Sequence, residues 1–250
     1  MTHLAWDGCY NVRDLSGLPL AAGGQIHPAA LIRSDILSRL SAAGRQALID
    51  YGVGTVIDLR TPAQVAEEPS AFAPGHPQPG QPHYHILSLE NRNVSVINRI
   101  DNAPSQAEKY CLTVDYCQPE VAEIVRAVAE AQTGGVLIHC HAGKDRTGIV
   151  IALLLGLVGV TDEAIAADYA ASEERLWPLF RQMEAAAADD PAQLTALQHK
   201  IPTALPQTIQ TLLTHLRIRY DSIRGYLLAA GVTEDELARI EHRLVEKADR

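Results

Sequence analysis

The segment 134–156 reads GGVLIHCHAGKDRTGIVIALLLG. It sets a cysteine between two histidines at the end of one apolar run, then glycine, lysine, aspartate and arginine before a second apolar run. Five residues separate Cys140 from Arg146, with Thr147 and Gly148 following. VLIHC has the character of a buried strand, and the run after Gly148 that of a buried helix. A strand–loop–helix turn of this kind gathers the N–H groups of residues 141–146 around one point and aims the positive helix N-terminus at it. The ring favours a tetrahedral dianion. It also favours thiolate over thiol, because a cysteine beside a helix N-terminus and an arginine falls from about 8.5 into the range of roughly 3.5–7.5. Cys140 is thus the expected nucleophile, and His141, Ala142, Gly143, Lys144, Asp145 and Arg146 the expected phosphate-binding residues. The planar fork of Arg146 can hold two phosphate oxygens, which a lysine could not reproduce. Gly143 lets backbone approach without a Cβ, and Thr147 can donate to the departing sulfur. A phosphate cradle with a nucleophile at its floor points to a phosphatase.

Other chemistries fit the same residues less well. The loop is not a Walker A loop, since Asp145 follows Lys144 where serine or threonine is needed and the upstream glycine is absent. In a strand, alternate side chains share a face, so Cys140 opposes His139 and His141 and the three do not form a metal site. A buried structural cysteine, a non-catalytic phosphate-binding module and a sulfur- or arsenate-transfer enzyme are the remaining alternatives.

HCHAGKDRTG resembles the His-Cys-x5-Arg-Thr/Ser-Gly signature of the cysteine-dependent protein tyrosine phosphatase superfamily. Together with NVRDLSG near the N-terminus, VIDLRT, and YLLAAGVTEDELARIEHRL near the C-terminus, it is similar to a bacterial tyrosine-protein phosphatase family with dual protein and phosphoinositide activity. DLSG departs from that pattern, which often has two glycines there. The resemblance implies an α/β fold with a central, mostly parallel sheet flanked by helices, a helical C-terminal part and in some members a helical lid. Chemistry and resemblance agree on two steps: Cys140 attacks phosphorus to give a cysteinyl phosphate, and water hydrolyses it. Arg146 and the amides stabilise the equatorial oxygens, and no metal or other cofactor is expected. Phosphorylated proteins or phosphoinositides are the expected substrates.

The superfamily's Trp-Pro-Asp loop, source of its general acid, is not found here; LWPLF contains no aspartate. Asp145 is the first candidate acid, with a structural carboxylate as its other reading. Asp58 is the second: in TVIDLR it shares a strand face with Arg60 near the end where α/β sheets bind ligands, and a framework ion pair between the two is the alternative. Asp101 and Asp115 rank third. Lys144 adds positive charge that suits a further ring phosphate, or is a solvated loop charge. His139 is expected to bond loop carbonyls. The charges of NVRD (11–14) and RSD (33–35) read as scaffold bridges, Cys9, Cys111 and Cys117 as small core fillers, and HYH (83–85) as lacking a metal role.

These residues must be carried by a chain of 250 residues, 47% hydrophobic, with formal net charge −9. That length supports one large domain, read as 1–250, with 162–206 a candidate helical lid or insertion. The negative charge argues against nucleic acid and anionic membranes as partners. The N-terminus lacks the features of a signal peptide, the run 149–160 is too short to span a bilayer, and four cysteines are too few for a disulfide framework. A cytoplasmic protein with reduced thiols is expected; the sequence assigns no oligomeric state.

Short strands and turns are expected over 11–35. A serine-capped helix follows in SAAGRQALIDYG, a strand in GTVIDLRT, and a helix opening at proline in PAQVAEE. A Pro/Gly-rich loop then leads to a strand near 83–89. ENRNVSVINRIDNAPS reads as a loop before the helix QPEVAEIVRAVAEAQTGG. From Thr161 onward the pattern is helical throughout.

Overall fold

The strands lie where β-branched residues cluster and the helices begin at side-chain caps. In a computed structural model, which describes residues 1–73, 80–198 and 201–246, the chain forms strands β1 (Thr2–His3), β2 (Arg13–Asp14), β3 (Gln25–Ile26) and β4 (Leu31–Ser34), then helix α1 (Ala42–Asp50). Strand β5 (Val53–Asp58), helix α2 (Pro62–Glu67) and strand β6 (His83–Ile86) follow. Next come α3 (Val94–Asp101), α4 (Gln106–Tyr116), α5 (Gln118–Ala129), strand β7 (Gly135–His139) and α6 (Asp145–Leu157). The chain ends in α7 (Asp162–Ala186), α8 (Pro191–Gln198), α9 (Pro206–Tyr220), α10 (Ile223–Ala229), α11 (Glu234–Leu244) and β8 (Val245–Glu246).

The main sheet has the order β1-β2-β4-β7-β5-β6. Its last four strands are parallel, and β1 and β2 join antiparallel at one edge. The expected α/β architecture is therefore present. Register does the positioning. Ser34 of β4 and Asp58 of β5 both pair with His139 of the central strand β7, so Asp35, Leu59 and Cys140 leave the sheet side by side at its C-terminal edge. Side chains alternate between two layers. Val136 and Ile138 pack into the large core with α5, α6, α9 and α11, whereas Leu137 faces a smaller core with Trp6, Leu37 and Leu48. Helix α6 is apolar on all sides because it lies between the sheet and the outer helices; Ile149 through Leu155 are all buried.

The expected serine cap of α1 is present, Ser41 Oγ accepting from Gly44 N–H at 3.1 Å. Pro62 opens α2 within a reciprocal Thr61–Gln64 capping box. Two helices overturn the loop reading of 90–105 and its surroundings. Asn93 caps α3 by accepting from Ser95 N–H, and Ser105 caps α4 by accepting from Glu108 N–H. Helix α3 is rich in β-branched residues and α4 ends in Thr, Val, Asp and Tyr, all of weak helix propensity, and α4 is held by burying Tyr110, Cys111, Thr113 and Val114. The C-terminal helical pattern breaks at Asp221, whose φ is 65°, and restarts at the Ser222 cap of α10. Parts of two expected segments, residues 74–79 of the Pro/Gly-rich loop and 199–200 of the 162–206 excursion, lie outside the described residues.

That excursion is not one unit. The first half of α7 is framework: Asp168 accepts from Arg13 Nε at 2.6 Å and from Arg33 Nη1 at 2.5 Å, with all three side chains buried. Burial acts to raise the Asp168 carboxyl, but the two guanidiniums outweigh it and hold it below the ordinary carboxylate range. Burial also brings Arg13 down to about 10, still cationic at neutral pH. The second half of α7 instead joins α8 in a small separate cluster around Phe180 and Leu197. Among the described residues, no helix is long and apolar enough to cross a membrane.

Asp168→Ala leaves two guanidiniums buried without their counter-charge. Urea denaturation is expected to show a loss of about 3–5 kcal/mol; a loss below about 1 kcal/mol would show that the triad is not structural.

Candidate active site

Cys140 lies just beyond β7 and is almost wholly buried, 3% exposed, at the floor of the turn into α6. The carbonyls that follow all point into the framework. His139 Nδ1 lies 3.0 Å from the Cys140 carbonyl and, facing an acceptor, must carry its proton. Ile36 N–H donates to the His141 carbonyl at 2.9 Å. Asn11 Nδ2 donates to the carbonyls of Ala142 at 3.0 Å and Gly143 at 3.2 Å. Arg33 Nη2 donates to Gly143 at 2.6 Å, and Gly148 N–H to the Lys144 carbonyl at 2.8 Å. Among the described residues the amides of His141 through Thr147 make no hydrogen bond. Carbonyls out and amides in is the arrangement that cradles a tetrahedral oxyanion.

Gly143 is needed twice over. Its φ is +65°, and a Cβ there would lie 2.1 Å from the Ser34 carbonyl oxygen. Thr147 is fully buried, and its Oγ1 has no hydrogen-bond partner among the described residues. Arg146 is held through Nη1 alone, which donates to the Leu59 carbonyl at 3.2 Å and to Gln64 Oε1 at 2.9 Å. Its Nε and Nη2 have no partner among the described residues, and that edge can take two oxygens in parallel. Lys144 Nζ donates to the Thr203 carbonyl at 3.0 Å, so this ammonium is engaged by the chain entering α9.

The two candidate acids sit in different surroundings. Asp145, the first residue of α6, borders a cavity of about 420 Å3 that Gln64, Gln106, Tyr110 and Arg146 also line. Its side chain is 40% exposed. Asp58 is fully buried and accepts from Arg60 Nε at 3.0 Å, Arg60 Nη2 at 2.7 Å and the Tyr84 hydroxyl. Burial acts to raise its carboxyl, but His139, Arg60 and Tyr84 outweigh it and keep the group below the ordinary carboxylate range. The geometry therefore places Asp58 in an enclosed ion pair with Arg60, with both of its oxygens engaged. Asp101 is paired with Lys109 at 2.6 Å on the far rim of the 420 Å3 cavity, and Asp115 accepts from Tyr220 at 2.9 Å, in contact with α9.

NVRD and RSD are scaffold: Arg13 and Arg33 are partners across β2 and β4 and both meet Asp168, while Asp35 accepts from the N–H groups of Tyr10 and Asn11. Burial pushes the Asp35 carboxyl up to about 6. Cys111 and Cys117 are buried and Cys9 half-buried, and burial raises all three thiols. In HYH, Tyr84 is the residue that reaches the site, through Asp58. Asn11 as a loop brace, Gln64, Gln106, Tyr110 and Asp168 were not singled out in the sequence. Only the spacing of Thr61 and Gln64 as a capping box offered a local signal.

A second cleft, of about 320 Å3, opens on the other side of the loop. It has an apolar wall from Leu176, Phe180, Met183 and Ile201 facing Arg39 and His141. Burial, helped by Arg39, lowers the His141 imidazole.

A sequence model described as the tyrosine phosphatase family matches residues 4–246. The chain is 31% identical over 238 residues to a tyrosine-protein phosphatase of Nostoc commune, covering 90% of this chain and 78% of that protein. It is 30% identical over 264 aligned residues to the triple specificity protein phosphatase PtpB of Mycobacterium tuberculosis, covering 92% of this chain and 87% of that one.

Gly143→Ala forces both the left-handed backbone and the Ser34 contact. Binding of vanadate, a tetrahedral oxyanion, is expected to weaken at least tenfold by calorimetry, in line with roughly 1–3 kcal/mol of local strain. The helical circular dichroism should be retained. Unchanged vanadate affinity would show that the loop needs no glycine there.

Proposed function

We propose that this chain, which belongs to the tyrosine phosphatase family, hydrolyses phosphotyrosine monoesters through a cysteinyl phosphate on Cys140. One observation carries the reading: five consecutive carbonyls, Cys140 to Lys144, are turned outward onto framework donors, which leaves the inner amides for a phosphate directly above the sulfur.

In the first step the Cys140 thiolate attacks phosphorus opposite the leaving oxygen. The S–P bond forms, the bond from phosphorus to the tyrosine oxygen breaks, and Asp145 delivers a proton to that oxygen. The equatorial oxygens rest on the loop amides and on the Nε/Nη2 edge of Arg146. In the second step water attacks phosphorus, the Asp145 carboxylate takes its proton, and the S–P bond breaks. The unpartnered Thr147 hydroxyl supports a role as hydrogen-bond donor to the departing thiolate. Positive charge comes from Arg146 and the helix N-terminus, so these residues suffice for the chemistry.

Phosphoserine/threonine and phosphoinositide monoesters form a second reading. It is favoured by Lys144, whose ammonium borders both clefts and keeps two donor hydrogens beyond its bond to Thr203. The family relative named a triple specificity phosphatase supports the same breadth.

Cys140→Ser is expected to abolish release of p-nitrophenol from p-nitrophenyl phosphate while vanadate still binds; retained turnover would sink the cysteine mechanism. Asp145→Asn should lower kcat/KM by about 10²–10³ for phenyl phosphate, a poor leaving group, and much less for p-nitrophenyl phosphate. Equal losses on both substrates would remove Asp145 as the acid. A panel of phosphotyrosine peptides, phosphoserine peptides and phosphoinositides then ranks the substrates.

A further inference from the structure

Asp145 is gripped on one oxygen. Oδ1 accepts from the Tyr110 hydroxyl at 2.6 Å and from Gln106 Nε2 at 3.0 Å, and the Lys144 ammonium stands 3.7 Å from the same atom. Oδ2 has no hydrogen-bond partner among the described residues. Tyr110 is a rigid donor: it is 1% exposed, its ring meets that of Tyr169 edge-on at 6.0 Å, and the two hydroxyls are 2.9 Å apart. Tyr169 is fixed in turn by Gly148, where a Cβ would lie 2.9 Å from its ring.

The proton assignment follows from counting donors. Tyr110 has one hydroxyl hydrogen and Asp145 Oδ1 can only accept, so that hydrogen goes to Asp145 and Tyr169 donates to the Tyr110 oxygen. Burial, with Asp145 and Tyr169 alongside, raises the Tyr110 hydroxyl well above its ordinary range, so it remains a donor at neutral pH. A proton placed on Oδ1 would face two further donors. The neutral acid therefore carries its hydrogen on Oδ2.

We infer that Tyr110 is a positioning residue for the leaving-group proton: by occupying Oδ1, with Gln106, it keeps the acidic hydrogen of Asp145 on Oδ2. This rests on the reading of Asp145 as the general acid. In the first step the Oδ2 hydrogen passes to the ester oxygen as the bond between that oxygen and phosphorus breaks. In the second step Oδ2 takes a hydrogen from the attacking water, and Oδ1 keeps the same two donors throughout. The carboxyl thus needs no rotation between the two steps.

The test compares kcat/KM for phenyl phosphate and p-nitrophenyl phosphate in the wild type, Tyr110→Phe, Gln106→Ala, Asp145→Asn and the double variant Tyr110→Phe/Asp145→Asn. Since kcat/KM reports formation of the cysteinyl phosphate, the ratio of the two values isolates protonation of the leaving group. Tyr110→Phe is expected to lower the phenyl phosphate value about tenfold and the p-nitrophenyl phosphate value by at most about twofold, with vanadate affinity retained. Gln106→Ala, a change on the surface, is expected to move the ratio the same way by a smaller factor, and it serves as the test should Tyr110→Phe fail to fold. In the Asp145→Asn background the Tyr110 change should leave the ratio where Asp145→Asn puts it. A ratio that shifts in Asp145→Asn but in neither Tyr110→Phe nor Gln106→Ala overturns the positioning role alone. A Tyr110 effect that persists in full in the Asp145→Asn background also overturns it. An unshifted ratio in Asp145→Asn itself overturns the acid, and the positioning role with it.

Discussion

A loop that points its amides inward must dispose of its carbonyls outward, and the site depends on how that is done. Leaving a buried carbonyl unbonded costs about 1–3 kcal/mol, and five in succession would cost enough to collapse the ring. The donors come from distant parts of the chain: His139 beside the loop, Ile36 after β4, and the side chains of Asn11 and Arg33. Arg33 can spend Nη2 on the loop because Asp168, on α7, takes Nη1. The loop is thus held from behind by a buried ion triad whose aspartate lies more than 130 residues beyond both arginines, and the first half of α7 belongs to the loop's scaffold.

The reactive side chains follow the same logic on a smaller scale. Arg146 is anchored through Nη1 and Asp145 through Oδ1, which leaves Nε with Nη2, and Oδ2, without partners among the described residues. A side chain tied at one atom keeps its orientation yet retains the atoms that, in the proposed mechanism, meet phosphate or donate a proton. That is preorganisation in its plainest form: little conformational freedom remains to be lost when charge develops. Asp58 shows the opposite case. With both oxygens engaged by Arg60 and one also by Tyr84, it has nothing left to offer a substrate and serves the sheet edge instead.

What could be read from the sequence was local. Cys140, Gly143 and Arg146 lie within seven residues, and their types and spacing already imply a strand, a ring and a helix N-terminus. The strands at VIDLR and VLIHC and the caps at Ser41 and Thr61 are likewise short-range patterns. Tertiary pairing was not legible. Arg13 and Arg33 were visible as charges, yet their partner Asp168 sits in an alanine-rich helix where nothing marks it. Tyr110 lies in α4, which weak propensity concealed, and its contact with Asp145 arises only when α4 packs beside α6. The choice between Asp58 and Asp145 was open for the same reason, since exposure and partners, not residue type, distinguish an acid from a bridge.

Charge balance behind the loop bears on the proposed binding of a dianion by an acidic protein. The chain carries a formal net charge of −9, and surface pairs such as Lys109–Asp101 and Arg217–Asp162 are one to one. Behind the loop two buried guanidiniums share the Asp168 carboxylate, and the buried Asp35 carboxyl, raised by burial to about 6, supplies a second negative charge above that pH. Arg13 stays cationic at neutral pH even after burial brings it down to about 10. The Arg33 guanidinium lies on the carbonyl side of the loop, so in the proposed complex a phosphate meets amides in front and a guanidinium behind. Screening restricts the surface carboxylates to short range, while the buried guanidiniums act through low-dielectric protein. In the proposed mechanism the loop's own cation Arg146, the α6 N-terminus and the Arg33 guanidinium behind the loop act at short range, and the overall charge governs distant approach.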